Sequence, residues 1–358
     1  MRAVVLVGGE GTRLRPLTNI VPKQLLPVVE VTMIERVLSQ LAGHGVDDAV
    51  LSLGYRPDAF LSAFPDDRAC GVGLGYAVEP APLDTAGAIA FAAAHAGIDD
   101  TFLVVNGDVL TDLDVSALVR FHRQRGAEAS ISLTPVEDPS RFGVVPTDDE
   151  GRVLAFIEKP EPGTAPTNLI NAGAYVLEPS VLDRIDRERR VSIERETFPS
   201  MVDEGRLYAL ASHSYWIDAG TPAQYLQAHR DLLSGARPGP PAPGAREVGS
   251  GVWVLGAPLI DGDVRADSLV GEGAVVAAGA TVVDSVVGAG GRVDRGASLN
   301  GAVLLPGVTV SAGATVERSV VGTDALIGED AAVRDLSVVG VGVVLDPATV
   351  VDGDRVPA

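Results

Sequence analysis

Residues 1–18 read Met1-Arg2-Ala3-Val4-Val5-Leu6-Val7-Gly8-Gly9-Glu10-Gly11-Thr12-Arg13-Leu14-Arg15-Pro16-Leu17-Thr18. The apolar run Ala3 to Val7 has the length and composition of a buried strand. It empties into a glycine-rich turn, where the lack of side chains lets backbone N–H groups come close to a phosphate. Arg13, Arg15 and, a few residues on, Lys23 add positive charge to that turn. The dinucleotide fingerprint fails because its last glycine would fall at Leu14, and a Walker A loop fails for want of Gly-Lys-Ser/Thr.

The same alternation continues downstream. Ala49–Leu53, Leu74–Val78 and Phe102–Val105 read as further buried strands, and Met33 to Leu41, Ala86 to Ala94 and Val115 to His122 have helical spacing. Strand–helix alternation of this kind predicts parallel strands joined by crossover helices, with ligands at the carboxyl ends of the strands. After residue 128 the chain becomes richer in strands, with Ala129–Leu133, Val153–Ile157 and Ala174–Leu177, and a helix over Pro222–Leu233 closes this part. Residues 235–247, GARPGPPAPGARE, carry no hydrophobic periodicity and read as a linker.

Beyond the linker, aliphatic residues recur at Val270, Val276, Val282, Val287, Val293, Leu299, Leu304, Val310, Val316, Val321, Ile327, Val333 and Val338, in steps of 6, 6 and 5. Each 17-residue turn is then one rung of a parallel β-helix with aliphatic residues stacked inside. The expected architecture is an α/β, Rossmann-like domain over 1–234 with a mainly parallel sheet, a linker over 235–247, and a left-handed β-helix of hexapeptide-type repeats over 248–358.

With 28 Lys plus Arg against 48 Asp plus Glu, the formal charge is −20. Nucleic acid and anionic membrane surfaces both call for a basic face, so neither is an expected partner. The single cysteine, Cys70, excludes an internal disulfide and a Cys-based zinc site, and points to a reducing, cytoplasmic setting. Lysine occurs only at Lys23 and Lys159, and both lie in phosphate-type motifs, where a compact point charge differs from a planar guanidinium.

The stretch Gly8-Gly9-Glu10-Gly11-Thr12-Arg13-Leu14-Arg15-Pro16-Leu17-Thr18 with Pro22-Lys23 resembles the signature of the sugar-1-phosphate nucleotidyltransferases. The likeness continues in order through Asn106-Gly107-Asp108, Phe142-Gly143-Val144, Glu158-Lys159-Pro160, Asn171-Ala172-Gly173 and Trp216-Ile217-Asp218-Ala219-Gly220-Thr221. Ser192 to Pro199, SIERETFP, and the β-helical tail are most similar to the mannose-1-phosphate guanylyltransferase branch. The resemblance implies a Mg2+-dependent transfer from a nucleoside triphosphate to a sugar 1-phosphate, with pyrophosphate released. It also implies roles: Arg13, Lys23 and Asp108 in catalysis; Leu6, Gly8, Gly9, Gly11, Thr12 and Glu79 with them around the nucleotide; Gly143, Glu158, Lys159 and Asn171 at the sugar phosphate. Asp108 and Asp218 would hold the metal through carboxylate oxygens. Taken alone, an Asp after a strand is more simply a cap or turn residue; its place in a matched motif is what argues for the metal.

Glu79 bears on the base. A carboxylate only accepts hydrogen bonds, and guanine's N1–H and N2 amine offer two donors side by side, so GTP is the expected nucleotide; mannose 1-phosphate as the acceptor is what the resemblance implies. Two departures from the family pattern, Asp84 in Leu83-Asp84-Thr85-Ala86-Gly87 and Val31-Thr32 before Met33, keep UTP, dTTP or ATP with glucose 1-phosphate or a cyclitol phosphate as alternatives. A β-helix acyltransferase is a rival, but all five histidines lie at or before His229, leaving no base in the repeats. A catalytically dead subunit should lack one of Arg13, Lys23, Asp108, Lys159 or Asp218, and a plain nucleotide-binding module would not need Glu158, Lys159 and Asn171. The β-helix is expected to support a homo-oligomer.

Overall fold

The computed structural model describes residues 1–357. The chain falls into two compact units: residues 1–9 with 34–216, and residues 10–33 with 217–358.

The first unit is built on one large sheet. Its principal strands are β1 (Arg2–Leu6), β2 (Asp48–Leu53), β3 (Val72–Val78), β4 (Phe102–Asn106), β5 (Ala129–Pro135), β6 (Leu169–Leu177) and β7 (Leu207–Ala211). β3, β2, β1 and β4 lie side by side and parallel. β6 runs antiparallel between β4 and β5, and β7 pairs parallel with β5. The helices of this unit are α1 (Met33–Gly43), the short α2 (Pro57–Ala63), α3 (Asp84–His95), α4 (Val115–Arg125) and the short α5 (Phe198–Asp203). α3 is almost all Ala and small residues, with Ala86, Ile89, Ala90, Ala92 and Ala93 buried, so it lies close against the sheet. The core joins these to Val4, Val104, Ile131, Tyr175 and Phe198.

Register decides what gathers at the carboxyl end. Leu6 is level with Ser52 and with Asn106, and Leu53 with Val78. The residues following these four strands are therefore Gly8-Gly9, Gly54, Glu79 and Gly107-Asp108. β6 carries a register shift between Asn171 and Tyr175, a bulge that re-aims the side chains beside it. The expected strand over Val153–Ile157 is a correction: only Ile157–Glu158 pairs as a strand, Val153 makes an isolated bridge to Thr147, and Leu154 is 58% exposed. The segment is read out by single backbone bonds, Val153 N–H to the Leu207 carbonyl and Leu154 N–H to Pro146, not by a continuous ladder.

In the second unit, short strands stack into three sheets. One holds Arg246–Gly249, Val252–Val254 and then Ser268–Val270 onward to Arg355–Val356; the others run from Leu259–Ile260 to Val344–Leu345 and from Asp263–Val264 to Val350–Asp352. Within these three sheets every pairing apart from the first hairpin is parallel, and in the middle rungs residues 17 apart are neighbours: Val270 with Val287, Val287 with Leu304, Leu304 with Val321. Twelve of the thirteen expected inward positions form this core. The last does not. Val321 pairs with Val339 and not Val338, Ile327 with Leu345, and Val333 with Val351, so the final turn has one extra residue. The insertion is absorbed at a corner, where Asp335 and Leu336 both take positive φ and Leu336 is pushed out to 37% exposure. α6 (Pro222–Leu233), capped by Thr221 accepting from Gln224 N–H, belongs to this unit. Within 235–247, Pro241 and Ala242 are buried, and the first hairpin strand already starts at Arg246. Among the described residues no helix is long and apolar enough to cross a membrane.

Candidate functional site

The candidate residues divide between the two units. In the second, the turn opening at Gly11 leads into a short helical turn, Thr12–Leu14, whose Leu14 is fully buried, with Leu17 and Thr18 behind it. Thr18 Oγ1 donates to the Gly11 carbonyl at 2.8 Å. This anchoring leaves Thr12 and Arg13 at the surface, with the Arg13 side chain 62% exposed. Lys23 opens the turn Lys23–Leu25 and is buried. Its Nζ lies 3.1 Å from Asp218 Oδ1, and Arg13 Nη2 lies 3.6 Å from Asp218 Oδ2. Burying an ammonium is costly unless it is paired, and Asp218 provides the pairing. Arg13, Lys23 and Asp218 are thus brought together.

Gly220 is a residue that the sequence reasoning quoted but gave no role. A Cβ there would stand 2.5 Å from Arg13 Nη2, 2.8 Å from Asp218 Oδ1 and 3.0 Å from Lys23 Nζ. Any larger residue there would have to displace the charged ends that converge at this point. The sole hint was its place in Asp218-Ala219-Gly220-Thr221. Arg15 turns away and pairs with Glu10 at 2.8 Å, both exposed, a contact of little energetic weight.

In the first unit, Glu79 follows β3. Its Oε1 accepts from Ser52 Oγ at 3.2 Å and its Oε2 from the Leu83 N–H at 3.1 Å. The carboxylate lies beside the glycine turn: a Cβ on Gly8 would be 3.5 Å from Oε1. Asp84, one of the departures from the family pattern, has φ 63, and its Oδ1 accepts from Thr85 N–H at 2.9 Å. Asp108 is half-buried, one residue after Gly107, whose N–H donates to the Leu6 carbonyl at 2.9 Å and so ties this corner to β1.

The sugar-side residues are also in the first unit. Gly143–Val144 pairs with Ile157–Glu158, which sets Gly143 level with Glu158. A Cβ on Gly143 would sit 2.7 Å from the Phe156 ring, so the glycine is required first by the protein's own packing. Lys159 Nζ lies 2.9 Å from Glu158 Oε1 and the lysine side chain is 59% exposed. Lys159 holds φ 48 immediately before Pro160, a conformation costly for a non-glycine residue. Asn171 Nδ2 donates to the Tyr175 hydroxyl at 2.9 Å, while its Oδ1 accepts from Gly173 N–H. Burial, and next the charge of Glu194, pushes the Tyr175 phenol well above its ordinary value, so it stays neutral as an acceptor for Asn171.

Sequence reasoning gave no role to Glu194. Its Oε2 accepts from Thr85 Oγ1 at 2.7 Å and Ser192 Oγ at 2.9 Å, at the start of a wide helical turn, Ile193–Thr197. It joins the first turn of α3 to the segment that opens Ile193–Thr197. Trp216 Nε1 donates to the Ala172 carbonyl at 2.9 Å and its ring stands edge-on to Phe142 at 5.7 Å.

For a metal, the donors are hard carboxylate oxygens. Among the described residues no group of three or more His, Cys, Asp or Glu could cage an ion. Carboxylate oxygens are hard donors of the kind that divalent cations bind.

The chain matches the nucleotidyl transferase family over residues 2–235 and the GMPPB C-terminal domain over residues 264–358. It belongs to the nucleotidyl transferase family. A mannose-1-phosphate guanylyltransferase of Mycobacterium tuberculosis is 44% identical over 283 residues, covering 77% of this chain and 77% of that protein. A mannose-1-phosphate guanylyltransferase 1 of Arabidopsis thaliana is 38% identical, covering 77% and 74%. Among solved structures, HddC from Yersinia pseudotuberculosis complexed with GMP-PN aligns with a TM-score of 0.56 at 28% identity, over 64% of this chain and 98% of that one. This nucleotidyltransferase is therefore an enzyme acting on small molecules. Members of the family generally depend on a divalent metal.

Proposed function

We propose that this nucleotidyltransferase transfers guanylyl from GTP to mannose 1-phosphate, giving GDP-mannose and pyrophosphate. The observation that carries the reading is the Glu79 carboxylate, an acceptor-only group fixed by Ser52 and Leu83 beside the Gly8 turn. Such a group matches guanine's paired donors and does not match the acceptor-flanked N3–H of uracil or thymine. The names of the relatives at 44% and 38% identity support the same substrates.

A phosphate oxygen of mannose 1-phosphate attacks the α-phosphorus of GTP, and the bond from that phosphorus to the bridging oxygen of pyrophosphate breaks. The nucleophile is already an anion, so no general base is required; positioning and charge neutralisation are the protein's task. Lys23 is assigned to the α-phosphate and Arg13 to the leaving pyrophosphate, with Leu6, Gly8, Gly9, Gly11 and Thr12 lining the nucleotide. Lys159 takes the sugar phosphate, Glu158 and Asn171 the sugar hydroxyls, and Gly143 leaves backbone open to the sugar. Asp108 and Asp218 would hold Mg2+, which supplies positive charge to the phosphate oxygens when bound. The β-helix is assigned to homo-oligomer contacts, which sedimentation equilibrium of the whole chain tests.

A pyrophosphate-release assay crossing GTP, UTP, dTTP and ATP with mannose, glucose and glucosamine 1-phosphates tests the substrates. Turnover highest with GTP and mannose 1-phosphate is expected. A clear preference for UTP or dTTP overturns the role given to Glu79.

A further inference from the structure

The segment after Lys23 is held in a conformation that its own residues disfavour. Pro27–Val28 and Val31–Thr32 form a short antiparallel pair, and the two residues between them, Val29 and Glu30, have φ 51 and φ 63. Turns with positive φ at both central positions ordinarily use Asn-Gly or Gly-Gly, and a β-branched residue there is a genuine outlier. Strain of that kind persists only where the surroundings over-determine it.

Here the surroundings are α6 and one rung of the β-helix. Val29 N–H donates to His229 Nδ1 at 3.2 Å, and the Tyr225 hydroxyl donates to the Pro27 carbonyl. The Tyr225 ring stands edge-on to His229, with centroids 4.7 Å apart. Glu30 Oε1 accepts from the Ala289 N–H at 3.3 Å, and Val28 and Val29 are fully buried. Burial pushes the Glu30 carboxyl above its ordinary value against the lowering effect of the Ala289 bond, which is what an enclosed contact would give.

This turn is continuous with the Lys23 backbone. Leu26 N–H donates to the Lys23 carbonyl at 3.0 Å and the Leu26 carbonyl accepts from Met33 N–H at 3.2 Å. α6, which carries Tyr225 and His229, begins four residues after Asp218, the partner of Lys23. Compactness agrees: residues 10–33 group with 217–358.

We infer that the β-helix rung at Ala289 is a positioning element for catalysis: through Glu30 it holds the strained Val29–Glu30 turn and thereby fixes the Lys23 ammonium against Asp218. The inference rests on the assignment of Lys23 to the α-phosphate.

The test uses the full chain. Ala289→Pro removes the one N–H that Glu30 accepts; the rung geometry admits proline, since Pro306 occupies the same place one turn on and is likewise followed by a glycine of positive φ, Gly307 after Pro306 and Gly290 after Ala289. Glu30→Ala removes the acceptor, whereas Glu30→Gln keeps an oxygen there. Ala289→Pro and Glu30→Ala are each expected to lower kcat roughly tenfold or more, because small displacements of a phosphate-binding group are costly. The KM for mannose 1-phosphate should stay within about twofold, with parental circular dichroism. Glu30→Gln should recover most of kcat, and the double variant Glu30→Ala with Ala289→Pro should be no worse than the poorer single one, as for two halves of one contact. Unchanged kcat in both single variants, additive losses in the double, or a Glu30→Gln as impaired as Glu30→Ala would overturn the inference while leaving the transferase reading intact. Parental turnover by Lys23→Ala would instead remove the catalytic role of Lys23, and this inference with it.

Discussion

Glu79 shows how one side chain can be legible in chemistry and illegible in placement. Its acceptor-only character follows from the residue type, but the two donors that orient it, Ser52 Oγ and Leu83 N–H, lie 27 and 4 residues away. Glu79→Gln replaces one acceptor oxygen by a donor, and guanine then faces donor against donor. The kcat/KM for GTP is expected to fall about ten- to a hundredfold relative to dTTP, as for a lost hydrogen-bond match in a specificity pocket; competition between the two nucleotides measures it. Lys23→Ala and Asp108→Asn are each expected to abolish pyrophosphate release while leaving the fold intact, because neither contributes to the hydrophobic cores. Gly220 escaped the reading because a glycine carries no chemistry of its own; its meaning is the space it leaves among Arg13, Lys23 and Asp218.

At the scale of elements, periodicity was the stronger guide where a repeat imposes one environment on every equivalent position. Leu299, fully buried in its rung, should cost about 2–5 kcal/mol when replaced by Ala, whereas Asn300 next to it, exposed, should cost little. Thermal unfolding of the two variants distinguishes them. The extra residue at Leu336 was not legible, since a corner can take an insertion without disturbing the aliphatic columns. Non-repetitive stretches fared less well: Val153–Ile157 has strand-like composition, yet no neighbouring strand is in register with all of it. One local tie makes a pH prediction. Arg184 pairs with Glu128 at 2.8 Å and Glu204 at 2.7 Å, and its hydrogen bonds hold both carboxyls below their ordinary values. A depressed folded-state pKa stabilises above the unfolded value, about 4.3 for Glu, and that stability fades as pH falls through the folded value. Arg184→Ala should therefore lower stability by about 2 kcal/mol at neutral pH through the enclosed Glu128 pair, the exposed Glu204 pair adding little, with the difference from the parent shrinking toward zero in acid. Urea unfolding at several pH values reads it.

At the scale of the whole chain, the path crosses between the two units after Gly9, after Met33 and after Trp216. Residues 10–33, which carry Arg13 and Lys23, are therefore packed with the β-helical portion although they precede most of the large sheet in sequence. A chain ending at residue 234 would keep all of the family match but its last residue and lose Ala289, the donor to Glu30. Such a chain, if soluble, is expected to turn over at least about tenfold more slowly than the full chain, since a misplaced Lys23 still binds charge but no longer aligns it; the pyrophosphate assay applied to both measures this.

Sequence alone determined the strand–helix alternation, the 17-residue rung, the glycine-rich turn and the identity of the charged groups, because each depends on short-range order or on residue chemistry. Tertiary structure decided the rest: that Asp218 pairs with Lys23 across 195 residues, that Gly220 is the space between three charges, and that a strained Val29–Glu30 turn leans on a rung 259 residues away. Those relations arise from packing among segments remote in the chain, and no local pattern encodes which remote surfaces meet.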